Sequence, residues 1–165
     1  MNLLLEDAYG QPGRRSFFVD VGATRSESVR AGLEVVPPDA DVVVVHDAAR
    51  PCATPALVRA VVDAVASGRD GAVPGVPPVD TVKRVAGDMV LETLDRGTLV
   101  TVQTPQAFRA EVLRRAHEGA ADATDDAALV EAAGGRVVVV PGEPGNMKIT
   151  TAADLALARL LVERA

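Results

Sequence analysis

Charged side chains follow the valine run in the stretch VVVVHDAARP, residues 42–51, at the point where an apolar strand ends. Asp47 offers carboxylate oxygens of the kind that hold Mg²⁺, and Arg50 offers a guanidinium that binds phosphate oxygens. The carboxyl ends of strands are where open α/β sheets bind ligands. The stretch therefore predicts phosphoryl or nucleotidyl chemistry, although Asp47 and Arg50 could instead form a local ion pair that only shapes the loop.

Four more polar residues are open to two interpretations. Lys148 lies in NMKITT, which we predict to be an apolar strand, and a lysine there requires an edge position or an anionic partner, which favours a role in binding. Thr124 is either a helix cap or a ligand beside anion-binding amides. Arg96 is either a solvated turn residue or part of a site, and His46 is either a site residue or a core histidine bonded to the backbone.

The composition excludes several classes of protein. A chain of 165 residues suits one domain, and its net charge of -6, without a Lys/Arg run, argues against binding to nucleic acid. We find no Cys/His metal spacing, no G-x-S-x-G elbow and no Walker loop. The single cysteine, Cys52, permits no internal disulfide, and we interpret it as structural. Without an apolar span of about 20 residues, we expect a cytoplasmic protein with no membrane partner.

Helical and strand patterns alternate along the chain. We predict helices over 26–35 with Ser26 as N-cap, from Pro55 with Thr54 as N-cap and Gly68 just past the end, over 106–117, over 125–133 with Thr124 as cap, and from Thr151 onward. We predict strands over 42–45, 136–142 and 147–149. Four valines without alternation favour a strand buried on both faces, as in a parallel sheet. The alternation predicts a single α/β domain with helices on both faces of a parallel or mixed sheet.

Residues 71–103 differ from the rest because glycines and prolines break them into short strand-like pieces, with Ala86-Gly87-Asp88 as a hairpin turn. The segment is too long for a simple connection, and such an excursion is usually a functional loop or a contact with another subunit. We therefore predict a protruding β-arm over about 74–103 and a homodimer.

Five motifs in series resemble those of the 2-C-methyl-D-erythritol 4-phosphate cytidylyltransferases of the non-mevalonate isoprenoid pathway. They are GATRSESVRAGL, VVVVHDAARP, PVDTVKRV, LDRGTLVTVQTPQAF and ATDDAALVEAAGGRVVVVPGEPGNMKITTAADLALA. The resemblance runs from about Gly22 to the C-terminus. It implies a Rossmann-like, mostly parallel sheet and transfer of CMP from CTP to methylerythritol phosphate with Mg²⁺. Ribitol-5-phosphate is the alternative acceptor, because enzymes that use it share most of the pattern.

The resemblance also implies a role for each motif residue. Asp47 would lie at the Mg²⁺ and substrate region, with Lys148 and Arg96 as catalytic residues that position the methylerythritol phosphate; Arg50 would organise the Asp47 loop, Thr81 and Thr124 would assist in substrate binding, and Gly22 and Ser28 would lie against the cytidine. In this family the arm that carries Thr81 and Arg96 reaches into a neighbouring subunit. A homodimer with shared sites is therefore implied.

The family pattern is not matched before Gly22. Family members begin with a strand, a Gly-rich loop that contains an arginine, and a Pro-Lys, and GQPGRR at residues 10–15 does not reproduce this context. We expect an N-terminally truncated domain over residues 1–165 with reduced activity on its own, since one oxyanion donor contributes about 3 kcal/mol. A non-catalytic, dimerising remnant of the family is the alternative.

Overall fold

The structure, a computed structural model, describes residues 19–20, 22–118 and 123–162. Its helices are α1 (Arg25–Val35), α2 (Pro55–Ala66), α3 (Ala110–His117), α4 (Asp126–Ala132) and α5 (Ala152–Val162). Its strands are β1 (Val42–Val45), β2 (Gly71–Val76), β3 (Lys83–Ala86), β4 (Met89–Thr93), β5 (Thr101–Val102), β6 (Gln106–Arg109) and β7 (Val137–Pro141). The GQPGRR segment lies outside the described residues.

Five strands form the main sheet, in the order β1-β6-β2-β5 with β7 also paired to β2. β6 runs antiparallel to both β1 and β2, whereas β7 is parallel to β2, so β1, β2 and β7 share one direction. The carboxyl ends of these three strands therefore lie at one edge. The predicted α/β class, a mixed sheet flanked by helices, is confirmed.

Alternation along the strands divides the core into two layers. Val73 and Phe108 pack with side chains of α3 and α4 on one face, whereas Ala72 and Ala107 pack with α2 on the other. Gly71 lies beside Phe108, where a Cβ atom would meet the ring at 2.6 Å, so a side chain there would collide with the core.

The predicted ends of α2 are confirmed. Thr54 caps the helix by accepting a hydrogen bond from the amide of Leu57, Pro55 occupies the first turn, and Gly68 follows the end with φ of 100°.

Two other predicted N-caps were wrong by one or two positions in the sequence. The N-cap of α1 is Thr24, which forms a capping box with Glu27, and Ser26 is instead buried inside the first turn. The N-cap of α4 is Asp125, whose side chain accepts from the amide of Ala128, and not Thr124. In both cases a neighbouring residue has the extended backbone and the oxygen that the cap requires.

Three predicted elements were also corrected. Residues 106–109 form strand β6 between β1 and β2, and the predicted helix starts only at Ala110. Residues 147–149 form no strand. Val44 is 38% exposed and β1 pairs antiparallel with β6, so β1 is not buried on both faces.

The predicted arm contains a separate two-stranded sheet, β3 with β4, around a turn at Gly87 with φ of 60°. Every residue of these two strands is exposed. The ends of the predicted range belong to the main sheet instead, because β2 reaches Val76 and β5 spans Thr101–Val102. Among the described residues, no helix is both long and apolar enough to cross a bilayer.

Candidate functional site

Two loops meet at the carboxyl edge of the sheet. The first loop, residues 46–50, follows β1, and the second loop, residues 142–149, follows β7. The ammonium of Lys148 lies 3.2 Å from Oδ2 of Asp47, and the guanidinium Nε of Arg50 lies 3.8 Å from the same oxygen. The structure therefore brings together three of the predicted site residues.

The ion pair of Asp47 with Lys148 is weak enough for either residue to bind another charged group instead. The side chain of Lys148 is 51% exposed and that of Asp47 is 23% exposed. Exposed pairs of this kind contribute at most about 1 kcal/mol, because water screens them and ordering the side chains costs entropy. An incoming phosphate could thus take over the ammonium and leave the carboxylate free to bind a metal.

Arg50 is fixed mainly by the backbone of the second loop. Its Nη1 donates to the carbonyl of Asn146 at 2.8 Å, a shorter contact than its distance to Asp47. The local ion pair that the sequence left open is thus present but long, and Arg50 also joins the two loops.

His46 is an exposed ring whose two nitrogens are both bonded. Its Nε2 lies 3.0 Å from the carbonyl of Arg50, so this nitrogen must carry the proton. In the neutral ring Nδ1 then accepts, 3.0 Å away, from the hydroxyl of Thr104, which itself accepts from the amide of Asp47 at 2.9 Å. His46 therefore shapes the first loop by bonding to the backbone, as one of its two predicted roles required, but its predicted place in the core was wrong because the residue is exposed.

A cleft of about 530 Å³ lies between α1 and β1 and continues into the first loop. Ser28 and Asp47 both line it. The amide of Gly22 donates to the hydroxyl of Ser28 at 3.1 Å, so the two residues predicted to contact cytidine lie together. Ser28 and the predicted metal residue Asp47 thus border one cavity, and Gly22 is bonded to Ser28 at its wall.

The predicted residues Thr81 and Arg96 lie on the arm. Thr81 is exposed, and the Nη1 of Arg96 donates to the backbone carbonyl of Val79 on the same arm. Among the described contacts, no hydrogen bond or ion pair joins either residue to Asp47 or Lys148. Within the described part of one chain, these two residues are therefore not bonded to the loop cluster.

Thr124 is exposed and precedes the cap of α4, so its predicted capping role was wrong.

The next residues form a buried network that the sequence did not reveal. Asp126, fully buried, accepts from Arg25 at 2.6 Å and lies 3.0 Å from Nε2 of His117. Burial by itself would raise the pKa of Asp126, but the hydrogen bonds and charges of His117 and Arg25 outweigh it and hold this pKa below its usual value. This network anchors the first turn of α1 beside the cleft.

Sequence reasoning also missed the buried amides behind the two loops. Asn146 is fully buried and Gln103 is 7% exposed. The Gln103 amide donates to the carbonyls of Glu143 and Asn146 at 2.8 and 3.1 Å and accepts from the amide of Glu143 at 3.1 Å. Asparagine between glycine and an apolar residue is typical of a turn, so its burial had no signal beyond the N-x-K-I-T motif.

The carboxyl edge of this sheet carries a carboxylate, an ammonium and a guanidinium beside a cleft. This arrangement suits an enzyme that transfers phosphate-linked groups. Comparison with known proteins defines the class as nucleotidyltransferase. The family model of 2-C-methyl-D-erythritol 4-phosphate cytidylyltransferase (IspD) matches residues 3–164. The chain belongs to this family. The match starts before Gly22, so the resemblance extends further toward the N-terminus than the motifs alone indicated.

Relatives and solved structures agree with this assignment. The chain is 54% identical over 156 residues to the 2-C-methyl-D-erythritol 4-phosphate cytidylyltransferase of Saccharopolyspora erythraea, covering 90% of this chain and 69% of that protein. It is 45% identical to the Streptomyces avermitilis enzyme of the same name, covering 97% of this chain and 68% of the relative. The crystal structure of the Thermus thermophilus enzyme superposes with a TM-score of 0.81 at 38% identity, covering 96% of this chain and 79% of that one.

The predicted activity class is confirmed: the chain is a cytidylyltransferase of isoprenoid precursor synthesis, whose reaction joins CMP from CTP to 2-C-methyl-D-erythritol 4-phosphate. These relatives carry the name of the erythritol enzyme and favour it over the ribitol alternative.

Proposed function

We propose that the two-loop cluster binds the acceptor phosphate and the α-phosphate of CTP, with cytidine in the cleft beside Gly22 and Ser28. The observation that carries this proposal is the 3.2 Å pair of Lys148 with Asp47 at the mouth of the cleft that Ser28 lines. A cation, a carboxylate and a cleft that we assign to the cytidine are thus adjacent on one chain.

The reaction needs two anions to approach each other. A phosphate oxygen of methylerythritol phosphate forms a bond to the α-phosphorus of CTP, and the bond from that phosphorus to the oxygen of the leaving pyrophosphate breaks. We assign the neutralisation of the acceptor phosphate to Lys148, because its ammonium is half-exposed and held only by a weak pair. Arg50 holds the first loop through its bond to the carbonyl of Asn146. Thr124, just before α4, is a candidate substrate contact.

Asp47 fits a magnesium ion that the substrates help to hold. Among the described residues, no group of three or more His, Cys, Asp or Glu side chains could hold a metal by itself. Mg²⁺ in nucleotide enzymes is usually bound through one or two carboxylates together with substrate phosphates and water, so one aspartate suffices. Both ion pairs of Asp47 use Oδ2, and a carboxylate has a second oxygen to offer. When bound, the ion would neutralise the charge of the phosphates.

We further propose that the β3–β4 arm completes the site of a second copy in a homodimer. Five apolar side chains of the arm are more than half exposed: Val79, Val85, Met89, Val90 and Leu91. A two-stranded hairpin is marginally stable alone, and a clustered apolar surface of this kind marks an interaction site. Thr81 and Arg96 lie on the same arm, so docking of the arm would deliver them to the partner.

The single cysteine and the phosphorylated substrates suit the cytoplasm, which we propose as the location.

The acceptor is tested by measuring pyrophosphate release from CTP with methylerythritol phosphate and, in parallel, with ribitol 5-phosphate. We expect kcat/KM at least about tenfold higher for methylerythritol phosphate, the difference of about 1.4 kcal/mol that a site fitted to one polyol chain supplies easily. Equal or reversed preference would contradict the assignment of the acceptor, and no release with either would favour the non-catalytic remnant.

A further inference from the structure

We propose that Asn146 is a positioning residue that sets the spacing between Asp47 and Lys148. The inference rests on the proposed function of these two residues and concerns what holds them together. Asn146 is fully buried, and its side chain donates through Nδ2 to the carbonyl of Thr104 at 2.8 Å. Its own carbonyl accepts from Nη1 of Arg50 at 2.8 Å. One residue of the second loop therefore binds both the first loop and the connection between β5 and β6.

Asn146 acts on Asp47 through Thr104. The carbonyl of Thr104 is fixed by Asn146, and the hydroxyl of the same residue accepts from the amide of Asp47 at 2.9 Å. The contact of Arg50 with the Asn146 carbonyl fixes the other end of the first loop. The backbone of Asp47 is thus held on both sides by bonds that depend on one buried residue.

Asn146 acts on Lys148 through the chain itself, since only Met147 separates them. Immediately after Lys148, the amide of Ile149 donates to the carbonyl of Ala49 at 2.8 Å, which joins the second loop to the first again. The Lys148 backbone is therefore held between the Asn146 contacts and the Ile149 contact. These bonds place the ammonium and the carboxylate on facing loops.

The pattern of bonds explains why the residue is asparagine. Its Nδ2 faces the Thr104 carbonyl and, at 3.5 Å, Oε1 of Gln103, which are both acceptors. An aspartate of the same shape has no donor there and would place oxygen against oxygen. Among the described residues, the buried Oδ1 atom of Asn146 has no hydrogen-bond partner, which is unfavourable for folding. Because this atom is unfavourable for folding, the placement of the two loops explains the asparagine better than stability does.

The test uses the full chain and two variants, Asn146→Asp and Val61→Ala. Val61 is fully buried in the α2 layer, and its truncation lowers stability without removing any bond of the two loops. Each variant is made alone and together with Lys148→Met. We measure kcat, the KM values for CTP and methylerythritol phosphate, and hydrogen exchange at the amides of Asp47 and Ile149.

We expect Asn146→Asp to lower kcat/KM for methylerythritol phosphate by about 10-fold to 100-fold, with the KM for CTP changed less than about threefold. In the Lys148→Met background the same change should cost less than about threefold, because residues that act through one pair are not additive. Exchange at Asp47 and Ile149 should accelerate at least about tenfold relative to the other slow amides, whereas Val61→Ala should accelerate slow amides generally.

Additive losses in the two backgrounds, or no selective acceleration at Asp47 and Ile149, would overturn the inference. If the unmodified chain releases no pyrophosphate, the proposed function fails, and the exchange measurement still decides whether Asn146 positions the loops. If Asn146→Asp does not fold, Gln103→Met replaces it, since this variant removes the donor to the Asn146 carbonyl, and the same criteria apply.

Discussion

The two-loop cluster and the β3–β4 arm carry the predicted site residues in opposite ways. In the cluster, Asp47 and Lys148 are held by buried amides and by backbone bonds between the loops. In the arm, every residue of the two strands is exposed, and the side chain of Arg96 donates to the backbone of Val79 on the same arm. On our proposal, the chain builds one part of the site by itself, and the arm contributes its residues only after it docks on a second copy.

The largest expected effect is on activity, in the cluster. Lys148→Met should lower kcat/KM by about 100-fold to 1000-fold, because it removes a cation from the phosphate that becomes bonded in the transition state. The free energy of unfolding should change by less than about 0.5 kcal/mol, since the ion pair is largely exposed. Steady-state kinetics and urea unfolding measure both quantities.

Lys83→Met is the matched control, since Lys83 is the chain's other lysine and donates to Thr93 across the hairpin. We expect less than about a threefold change in its kcat/KM. Because Lys83 lies in the arm, equal losses in the two lysine variants would contradict a larger role for the cluster than for this part of the arm.

The next largest effect separates stability from chemistry. Asp126→Asn should lower the free energy of unfolding by about 3 kcal/mol, because it leaves Arg25 and His117 without the buried charge that they bind. Thermal and urea unfolding at neutral pH measure this change. A loss below about 1 kcal/mol would show that the buried network contributes little.

The same network makes stability depend on pH. The folded pKa of Asp126 is lowered, so its contribution is fully present above the unfolded value of about 3.9 and is lost as the pH falls through the folded value. Asp154, in the capping box of α5, has its pKa lowered to about 2 by hydrogen bonds from Thr150 and Thr151 and adds to the loss in the same acid range. Unfolding of the unmodified chain between pH 5 and 2, about the range where carboxylates titrate, should show a steeper loss than Asp126→Asn. Parallel curves would contradict the lowered pKa.

The smallest effect on stability is expected in the arm. Leu91→Lys should change the free energy of unfolding by less than about 0.5 kcal/mol, because Leu91 is 58% exposed, but it should weaken self-association. Sedimentation velocity over a concentration series measures the association. Leu160→Lys, at an exposed leucine of α5, is the control, and loss of association in this variant alone would place the interface elsewhere.

Sequence patterns predicted what local chemistry determines. The cap at Thr54, the stop at Gly68 and the hairpin turn at Gly87 follow from side-chain oxygens and from positive φ. That Asp47 and Lys148 lie close together could be expected only from the motif resemblance. Their separation of 101 positions along the chain gives no local pattern that would predict it.

Tertiary contacts decided what the sequence could not. Residues 106–109 directly precede a helical pattern and were predicted as its start. Pairing with β1 on one side and β2 on the other makes them a strand. The segment around Lys148 looks like a strand and has no strand partner, because it is occupied by loop contacts such as that of Ile149 with Ala49. The burial of Asn146 and Asp126 likewise depends on elements that are distant in sequence.

Subunit mixing tests most directly whether the arm of one copy completes the cluster of another. Lys148→Met and Arg96→Ala chains, each nearly inactive alone, are mixed in equal amounts after dissociation and assayed for pyrophosphate release. If the arm is supplied by the partner, half of the dimers are mixed and each has one intact site, so activity should recover to about a quarter of that of the unmodified chain. Activity of the mixture that equals only the sum of the two separate variants, while the unmodified chain is active, would contradict the account.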